Sequence, residues 1–207
     1  MTAQSLTFRD KLRSRNVDRW HTVATTVKQN IAEHSHCLGI IAEELLTRLY
    51  DGKSKGSLEE RYTLLKYAQV HDLPEIITGD MSSVFKRLMR ENLTGFDEFM
   101  DTIELQMIPE LAELNETFST HPHLKVICKA ADLLEAHSYF LIAKGADEQH
   151  NLVIFQKLDS YLLESIDKGK ELAPNFPWDC ILDLKNEMSH GDSLVIDFET
   201  KLNAFIG

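Results

Sequence analysis

The feature that most constrains this chain is an apolar, helix-forming stretch that ends in a histidine–aspartate pair and a proline. The stretch spans residues 62–68, and His71, Asp72 and Pro74 follow it. Neighbouring side chains on a helix point about 100° apart, so adjacent imidazole and carboxylate groups reach one centre only near a helix end or a bend. Pro74 supplies such a bend, because it pushes the residue before it away from helical angles. The sequence therefore predicts a helix that ends where His71 and Asp72 can act together.

Two further acids, Glu75 and Asp80, follow the pair within one short segment. Titratable groups packed behind a buried helix are costly unless a cation or a substrate compensates their charge. A structural interpretation also exists, because Glu75 can lie in the first turn of a helix begun at Pro74, and Asp80 can cap the next helix. The residues alone leave both interpretations open.

Two other stretches each place a candidate metal ligand within a helical pattern. His34 lies near the start of a long amphipathic segment, from which its ring can project toward the helix that carries His71. Asp132 lies in the apolar run 130–134, where a lone acid must be paired or ligated. Glu33 is interpreted as a helix cap or as a group that orients a ligand.

The chain resembles the HD-domain superfamily of metal-dependent phosphohydrolases, whose H…HD…D ligand set is matched in order by His34, His71, Asp72 and Asp132. Over residues 15 to 140 it is similar to the YfbR-type branch, which hydrolyses 5′-deoxynucleotides. The matching residues are Arg19-Trp20, Glu33-His34-Ser35, His71-Asp72, Glu75, Thr78-Gly79-Asp80 and Asp132. The resemblance implies an all-α HD-domain helical bundle and a divalent cation (Co, Mn, Zn or Fe) held by the four matched ligands.

Arg19 and Trp20 have two interpretations. From the residues alone, Arg19 is a solvated charge and Trp20 is a core anchor. The resemblance implies instead that Arg19 contacts the substrate phosphate, for which a guanidinium fork is well suited. It also implies that Trp20 lies against the sugar, where an indole close to the 2′ position would select deoxyribose.

The resemblance also assigns roles to the residues that follow the His-Asp pair. Glu75 and Asp80 would position the attacking water and assist proton transfer to the departing oxygen. Lys86 lies where related sequences place a basic residue near the phosphates. It could equally belong to a solvated helix face.

Composition limits the classes of partner and the compartment. The 207-residue chain carries a formal net charge of -11, which argues against nucleic-acid binding but not against a small phosphorylated substrate. Three cysteines without CxxC spacing fit a reducing compartment and exclude a local thiolate zinc site. No apolar run is long enough for a membrane span, and the first residues do not resemble a signal peptide, so we expect a cytoplasmic protein.

The periodicity predicts helices throughout. Because no alternation is long enough to build a sheet, the fold class is all-α. We expect one HD domain over residues 1–207, with its core at about 15–140. Helices at 148–206 would complete the domain or form an interface of a homo-oligomer. We expect Pro109 to kink or divide the helical run 95–118, and His121 and His123 are interpreted as loop residues.

Three functions remain open at this point. The main expectation is hydrolysis of a deoxynucleoside 5′-monophosphate to deoxynucleoside and phosphate. Residues 20–23 and Gln29-Asn30 depart from the enteric monophosphatase pattern and keep open a dATP-type triphosphohydrolase, which would cut the same bond and release triphosphate. The alternative of another class is an inactive nucleotide-binding regulatory module. Retention of the ligands and of both acids argues against it.

Overall fold

The chain folds into a bundle of helices, described by a computed structural model over residues 5–52, 56–143 and 148–190. The helices are α1 (Phe8–Lys11), α2 (Ile31–Leu49), α3 (Leu58–Val70), α4 (Glu75–Thr78), α5 (Ser83–Asn92), α6 (Phe96–Met107), α7 (Glu110–Thr120), α8 (Pro122–Ala143), α9 (Glu148–Leu172) and α10 (Cys180–His190). A short 3-10 helix, Leu12–Asn16, follows α1. The predicted all-α class is confirmed, and Pro109 separates α6 from α7.

A two-residue antiparallel ladder precedes α2 and was not predicted. It joins β1 (Asp18–Arg19) to β2 (Gln29–Asn30), with Arg19 opposite Gln29. So short a ladder has no periodic sequence signal. It nevertheless matters, because it brings the segment that carries Arg19 and Trp20 to the first turn of α2.

Capping boxes fix the starts of the two helices that supply the predicted histidines. At α2 the Asn30 side chain accepts the Glu33 N–H at 3.1 Å, and the Glu33 carboxylate accepts the Asn30 N–H at 3.1 Å. The cap interpretation of Glu33 is therefore confirmed. At α3, Ser57 and Glu60 form the same reciprocal pair. These bonds satisfy backbone N–H groups that a helix start leaves free.

The Glu60 carboxylate also connects three helices. It accepts a hydrogen bond from the Tyr50 hydroxyl at 2.8 Å and lies 3.1 Å from His123 Nε2. The interpretation of His123 as a loop residue is wrong, because it lies in the first turn of α8 and pairs with this buried acid. The Glu60 carboxylate thus ties the end of α2 and the start of α8 to the start of α3.

Helices α2, α3 and α8 form the centre of the core. Their apolar faces contribute fully buried side chains, which include Leu38, Leu45, Leu46, Leu64, Leu124, Ile127, Leu134 and Phe140. Each such burial contributes about 1.5–3 kcal/mol of hydrophobic stabilisation. The packing holds the start of α2, the end of α3 and the middle of α8 together at one edge of the core.

Helices α9 and α10 pack on the same core. Leu158, Leu162 and Ile166 of α9 join it, and Trp178 is fully buried between α9 and α10. The helix predicted within 194–205 lies outside the described residues, and the boundaries of the single domain stay a prediction. Across the described ranges, no helix is both long enough and apolar enough to cross a membrane.

Candidate metal and phosphate site

Three of the four predicted metal ligands form a tight group. His34 projects from the first turn of α2, His71 caps the end of α3, and Asp72 follows it. His34 Nε2 lies 3.4 Å from His71 Nε2 and 3.4 Å from Asp72 Oδ2, and His71 Nε2 lies 3.2 Å from Asp72 Oδ1. Imidazole nitrogens and a carboxylate oxygen facing one point are a donor set that suits a divalent transition metal.

The fourth predicted ligand, Asp132, lies at the edge of this group. Its Oδ1 is 3.7 Å from His34 Nε2 and its Oδ2 is 3.1 Å from Lys129 Nζ. Burial alone would raise the pKa of Asp132, but the charges of Lys129, His34 and Arg19 lower it to about 2. Asp132 is therefore ionised at neutral pH, although it lies outside the closest ligand cluster.

His71 presents its Nε2 to the group in a defined way. Its Nδ1 lies 3.1 Å from the Tyr67 carbonyl, which can only accept, so Nδ1 carries the proton and Nε2 carries the lone pair. The Tyr67 ring stacks on the imidazole at 4.7 Å. Burial lowers the pKa of His71 and outweighs the charge of Asp72, which would raise it. The lowered pKa keeps the ring neutral and able to bind a metal.

Glu75 is buried beside the ligand group, in the first turn of α4. Its Oε1 lies 3.6 Å from Lys86 Nζ on α5, and its Oε2 is buried without a hydrogen-bond partner. Burial, reinforced by the charge of Asp72, raises the pKa of Glu75 to about 8. The carboxyl group therefore holds a proton near neutral pH and is suited to donate it. The 3.6 Å contact shows that Lys86 faces this part of the molecule.

Asp80 contacts the backbone of the predicted sugar-facing residue. Its Oδ2 accepts the Trp20 N–H at 3.0 Å, and Trp20 has a left-handed backbone with φ of 59°. A non-glycine residue needs surrounding contacts to remain in that conformation. Asp80 thus positions Trp20 and does not cap a helix, since Ser82 caps α5. The proton-transfer role expected for Asp80 stays a prediction.

Arg19 is largely buried beside Asp132 and Glu135 of α8. Its side chain is 12% exposed, with Nη1 3.6 Å from Glu135 Oε2 and Nη2 3.9 Å from Asp132 Oδ1. The Nη1 atom is buried and lacks a hydrogen-bond partner. The interpretation of Arg19 as a solvated charge is therefore wrong, and the guanidinium can bind an anion beside the metal ligands.

Trp20 is partly buried against aromatic residues of α8. Its ring lies 4.8 Å from Phe140 and 5.9 Å from Tyr139, and its indole N–H donates to Gln29 Oε1 at 3.1 Å. The structure therefore supports the core-anchor interpretation for one part of the ring. The same contacts make the ring a rigid surface beside Arg19, whose guanidinium carbon lies 5.4 Å from the ring centre.

The sequence analysis did not predict two site residues, Glu135, which contacts His34, and Gln29, which contacts Glu135. Glu135 Oε2 lies 2.7 Å from His34 Nδ1, and Glu135 Oε1 accepts a hydrogen bond from Gln29 Nε2 at 2.6 Å. Glu135 could have been found, because it is a second acid in the apolar pattern around Asp132. Gln29 carries no such signal, since its position depends on the β1–β2 ladder.

A cavity of about 650 Å³ opens beside His71 and Asp72. Its size falls in the range of small-molecule sites. Its lining mixes aromatic, apolar, acidic and amide side chains with one lysine: Tyr67, His71, Asp72, Asp101, Glu104, Leu105, Leu111, Asn115, Phe118, Ser119 and Lys125. The cavity gives a bound molecule room on the α6–α7 side of the ligand group.

Comparison with known proteins agrees with this geometry. The model of the family described as 5′-deoxynucleotidase YfbR-like matches residues 8–174. A dATP triphosphohydrolase of Acinetobacter phage SH-Ab 15497 is 32% identical over 190 residues, which cover 88% of this chain and 91% of the relative. A 5′-deoxynucleotidase of Vibrio cholerae serotype O1 is 28% identical over 168 residues, which cover 76% of this chain and 84% of the relative.

A solved structure shares the fold. The HD phosphohydrolase DatZ of Cyanophage S-2L, bound to dA and one catalytic Zn²⁺ ion, superposes with a TM-score of 0.70 at 24% identity. The match covers 90% of this chain and 98% of that chain. The helical bundle therefore has the fold of the HD class of phosphohydrolases. Within that class, the chain belongs to the YfbR-like 5′-deoxynucleotidase family, as its motifs predicted.

Proposed function

We propose that this enzyme hydrolyses the 5′ phosphoester bond of 2′-deoxynucleotides with the help of a divalent cation. The observation that carries this proposal is the position of Arg19 beside the ligand group. Its buried Nη1 has no hydrogen-bond partner, although unpartnered buried donors are rare. A phosphate oxygen placed between Arg19 and the His34–His71–Asp72 group would satisfy this donor.

The residues of the site fit the proposed cation. His34, His71 and Asp72 would hold it, with Asp132 as a further ligand at the edge. A bound divalent cation supplies Lewis acidity toward a phosphoryl oxygen and lowers the pKa of water from 15.7 toward about 7. Nitrogen and oxygen donors together suit Zn, Mn, Co or Fe, and the availability of each metal decides among them.

Side chains of the protein would neutralise the phosphate charge, donate a proton and position the substrate. Arg19 and Lys86 would neutralise charge on the non-bridging phosphate oxygens as it develops. Glu75 would give its proton to the departing 5′ oxygen, since its pKa near 8 keeps it protonated at neutral pH. Asp80 would hold Trp20 in place through the hydrogen bond that it accepts from the Trp20 N–H. It would also help to position the attacking water.

Trp20 is the residue proposed to distinguish deoxyribose from ribose. Its backbone is fixed by Asp80, and its indole is fixed by Gln29 and by two aromatic rings of α8. A ring held from three sides cannot move aside for an added 2′-hydroxyl group. Rejection of ribonucleotides by exclusion is therefore the expected consequence.

A triphosphate is the second candidate substrate. Apart from Arg19, Lys86 and Lys129 border the ligand group, because Lys86 Nζ lies 3.6 Å from Glu75 and Lys129 Nζ lies 3.1 Å from Asp132. A triphosphate carries more negative charge than a monophosphate and gains more from these lysines. The name of the matching family supports the monophosphate, and that of the Acinetobacter phage relative supports dATP.

The test is hydrolysis by metal-reconstituted enzyme of dAMP, dATP, AMP and ATP, with His71→Ala as control. Orthophosphate from dAMP supports the monophosphatase, and triphosphate from dATP supports the triphosphohydrolase. Either product should require the cation and disappear in His71→Ala. Absence of cleavage for all these substrates and other deoxynucleotides, with Mn, Co and Zn, would contradict the proposal.

The remaining expectations concern partners and location. The net charge of -11 supports a small deoxynucleotide over nucleic acid as the ligand. A homo-oligomer stays an expectation, for which exposed apolar side chains on α9, among them Leu152 and Leu163, would be available to a second copy. Light scattering coupled to size-exclusion chromatography would test the oligomer. The absence of a membrane-spanning pattern from the sequence supports the cytoplasmic location.

A further inference from the structure

A continuous chain of hydrogen bonds, partly buried at Trp20 and buried beyond Gln29, connects the indole of Trp20 to the imidazole of His34. The Trp20 indole N–H donates to Gln29 Oε1 at 3.1 Å, and Gln29 Nε2 donates to Glu135 Oε1 at 2.6 Å. Glu135 Oε2 then lies 2.7 Å from His34 Nδ1. His34 is fully buried, the Glu135 side chain is 3% exposed, and Gln29 is 7% exposed. The two internal members of the chain are therefore shielded from solvent.

The donor and acceptor of every hydrogen bond in this series follow from the first bond, which the Trp20 indole N–H donates. An indole nitrogen can only donate, so the carbonyl oxygen of the Gln29 side chain must face Trp20. The Gln29 amide nitrogen then faces Glu135 as a donor, and Glu135 must accept it. An ionised carboxylate accepts at both oxygens, so the second oxygen accepts a hydrogen bond from the N–H group at His34 Nδ1. This leaves the lone pair of His34 on Nε2, the atom that faces His71 and Asp72.

We propose that Glu135 is a positioning residue that fixes the tautomer and the ring orientation of His34, and that Gln29 extends this control to Trp20. The inference rests on the cation site of the proposed function, and it assigns roles to two residues outside the matched motifs. A metal-binding histidine typically donates its other ring N–H to such a partner. Trp20, the proposed sugar-facing residue, is thereby tied to the proposed cation site.

Arg19 supports the ionised state of Glu135 that this direction requires. Its Nη1 lies 3.6 Å from Glu135 Oε2, so the buried carboxylate has a positive charge beside it. A buried carboxylate without such compensation would be costly. With it, Glu135 has a neighbour for its charge and two hydrogen-bond donors, one for each oxygen.

The variant Glu135→Gln separates positioning from packing. The variant keeps the shape of the side chain but has one accepting oxygen, whereas the hydrogen bonds to Gln29 and His34 require two. If its NH₂ group faces His34, the proton of His34 must move to Nε2. If the NH₂ group faces Gln29, the Gln29 amide must turn, and its own NH₂ then opposes the Trp20 N–H. The first arrangement changes the tautomer of His34, and the second breaks the hydrogen bond between Gln29 and Trp20.

Two measurements test the positioning role of Glu135 without depending on enzyme activity. Long-range ¹H–¹⁵N spectra of ¹⁵N-histidine-labelled protein report which ring nitrogen of His34 is protonated, with a His34→Gln sample to identify its signals. Titration calorimetry with Zn²⁺ or Mn²⁺ reports cation affinity. We expect Nδ1–H in the wild type, and in Glu135→Gln a changed pattern with cation binding weaker by about 10- to 100-fold.

Glu60→Gln is the matched control, because it also removes the charge of a buried glutamate bonded to a histidine, but away from the ligand group. It should lower stability and leave cation affinity unchanged. Gln29→Met removes the central amide while keeping the side-chain length. It should weaken cation binding and shift the fluorescence of Trp20, measured in a Trp178→Phe background.

The outcomes separate this inference from the proposed function. Wild-type protein that binds cation, together with equal affinity in Glu135→Gln, overturns the positioning role and leaves the function standing. A His34 that carries its proton on Nε2 in the wild type also overturns it. Failure of the wild type to bind any of the proposed cations would contradict the cation-dependent function as well as the inference built on it.

Discussion

At the scale of single residues, the environment of Glu75 departs most from that of an ordinary carboxylate. One oxygen is buried without a hydrogen-bond partner, and the nearest cation, Lys86, is 3.6 Å from the other. The raised pKa means that the folded state disfavours the charged form. Glu75 therefore costs stability once the pH rises above its unfolded value of 4.5, and the cost stops growing above about pH 8.

The variant Glu75→Gln should be more stable than the wild type at pH 8 and nearly equal to it at pH 4. The expected gain at pH 8 is about 1–3 kcal/mol, after allowance for partial screening of the charge. Urea unfolding in the presence of a chelator would measure it. The same variant should lose most of its hydrolytic activity, because an amide cannot release a proton. A stability difference that does not change with pH would contradict the assignment.

Trp20 provides the second prediction at this scale. Replacement Trp20→Ala removes the rigid ring that is expected to exclude the 2′-hydroxyl group. The ratio of kcat/KM for a deoxynucleotide to that for its ribose counterpart should fall by at least about tenfold, a free-energy difference of about 1.4 kcal/mol. Kinetics with paired substrates would measure the ratio. An unchanged ratio with equal losses for both sugars would assign Trp20 to packing alone.

At the scale of secondary-structure elements, Glu60 links the end of α2, the start of α3 and the start of α8. Burial alone would raise its pKa, but hydrogen bonds from the Ser57 backbone, Tyr50 and His123 outweigh burial and lower it. A lowered pKa in the folded state gives stability that is present above the unfolded value of 4.5. That stability is lost as the pH falls through the folded value.

The variant Glu60→Gln should therefore lose about 1–3 kcal/mol of stability at pH 7 and much less at pH 3. Denaturant unfolding at the two values of pH measures the difference. The slope with denaturant should not change, since the variant is expected to keep the fold. A loss of equal size at both values would show that the charge of Glu60 contributes nothing.

Helix α9 and the turn before α10 depend on close packing at Gly169. A Cβ atom at this position would overlap the indole ring of Trp178, which is fully buried. Replacement Gly169→Ala in a helix interior ordinarily adds about 1 kcal/mol of helix propensity. Here overpacking should reverse that sign and cost about 1–3 kcal/mol. Thermal unfolding would measure it, and the double variant with Trp178→Phe should recover part of the loss.

At the scale of the whole molecule, the ligand group joins the elements of the core. His34 comes from α2, His71 and Asp72 come from the end of α3, and Asp132 comes from α8. A cation that binds only the folded arrangement stabilises it by mass action, by about 2.7 kcal/mol at a concentration 100 times Kd. The free energy of unfolding should therefore rise with Zn²⁺ or Mn²⁺ and fall again with a chelator.

Replacement His71→Ala should abolish this stabilisation by the cation, because it removes one ligand of the group. The same titration followed by thermal unfolding tests this expectation. A matched control is His36→Ala, since His36 is exposed on α2. Stabilisation that persists in His71→Ala would place the cation elsewhere.

The sequence by itself determined the helical class, the chemistry of the ligand group and the end of α3 at His71. These features are local, because hydrophobic periodicity, capping residues and the proline after the pair act over a few neighbouring positions. The family pattern added the order of His34, His71, Asp72 and Asp132. It could not show that Asp132 lies at the edge of the group, 3.7 Å from His34 Nε2, since that distance depends on how α8 packs against α2.

Only the tertiary structure decided the contacts that position these groups. His34 and Glu135 are separated by 101 residues, Gln29 and Glu135 by 106, and Trp20 and Asp80 by 60. A hydrogen bond between such distant residues has no local signature in the sequence. It exists because burial of the apolar faces of α2, α3 and α8 brings the polar groups together, and each buried polar group then requires a partner. The family pattern in the sequence therefore predicted the ligands, and tertiary packing determined their hydrogen-bond partners.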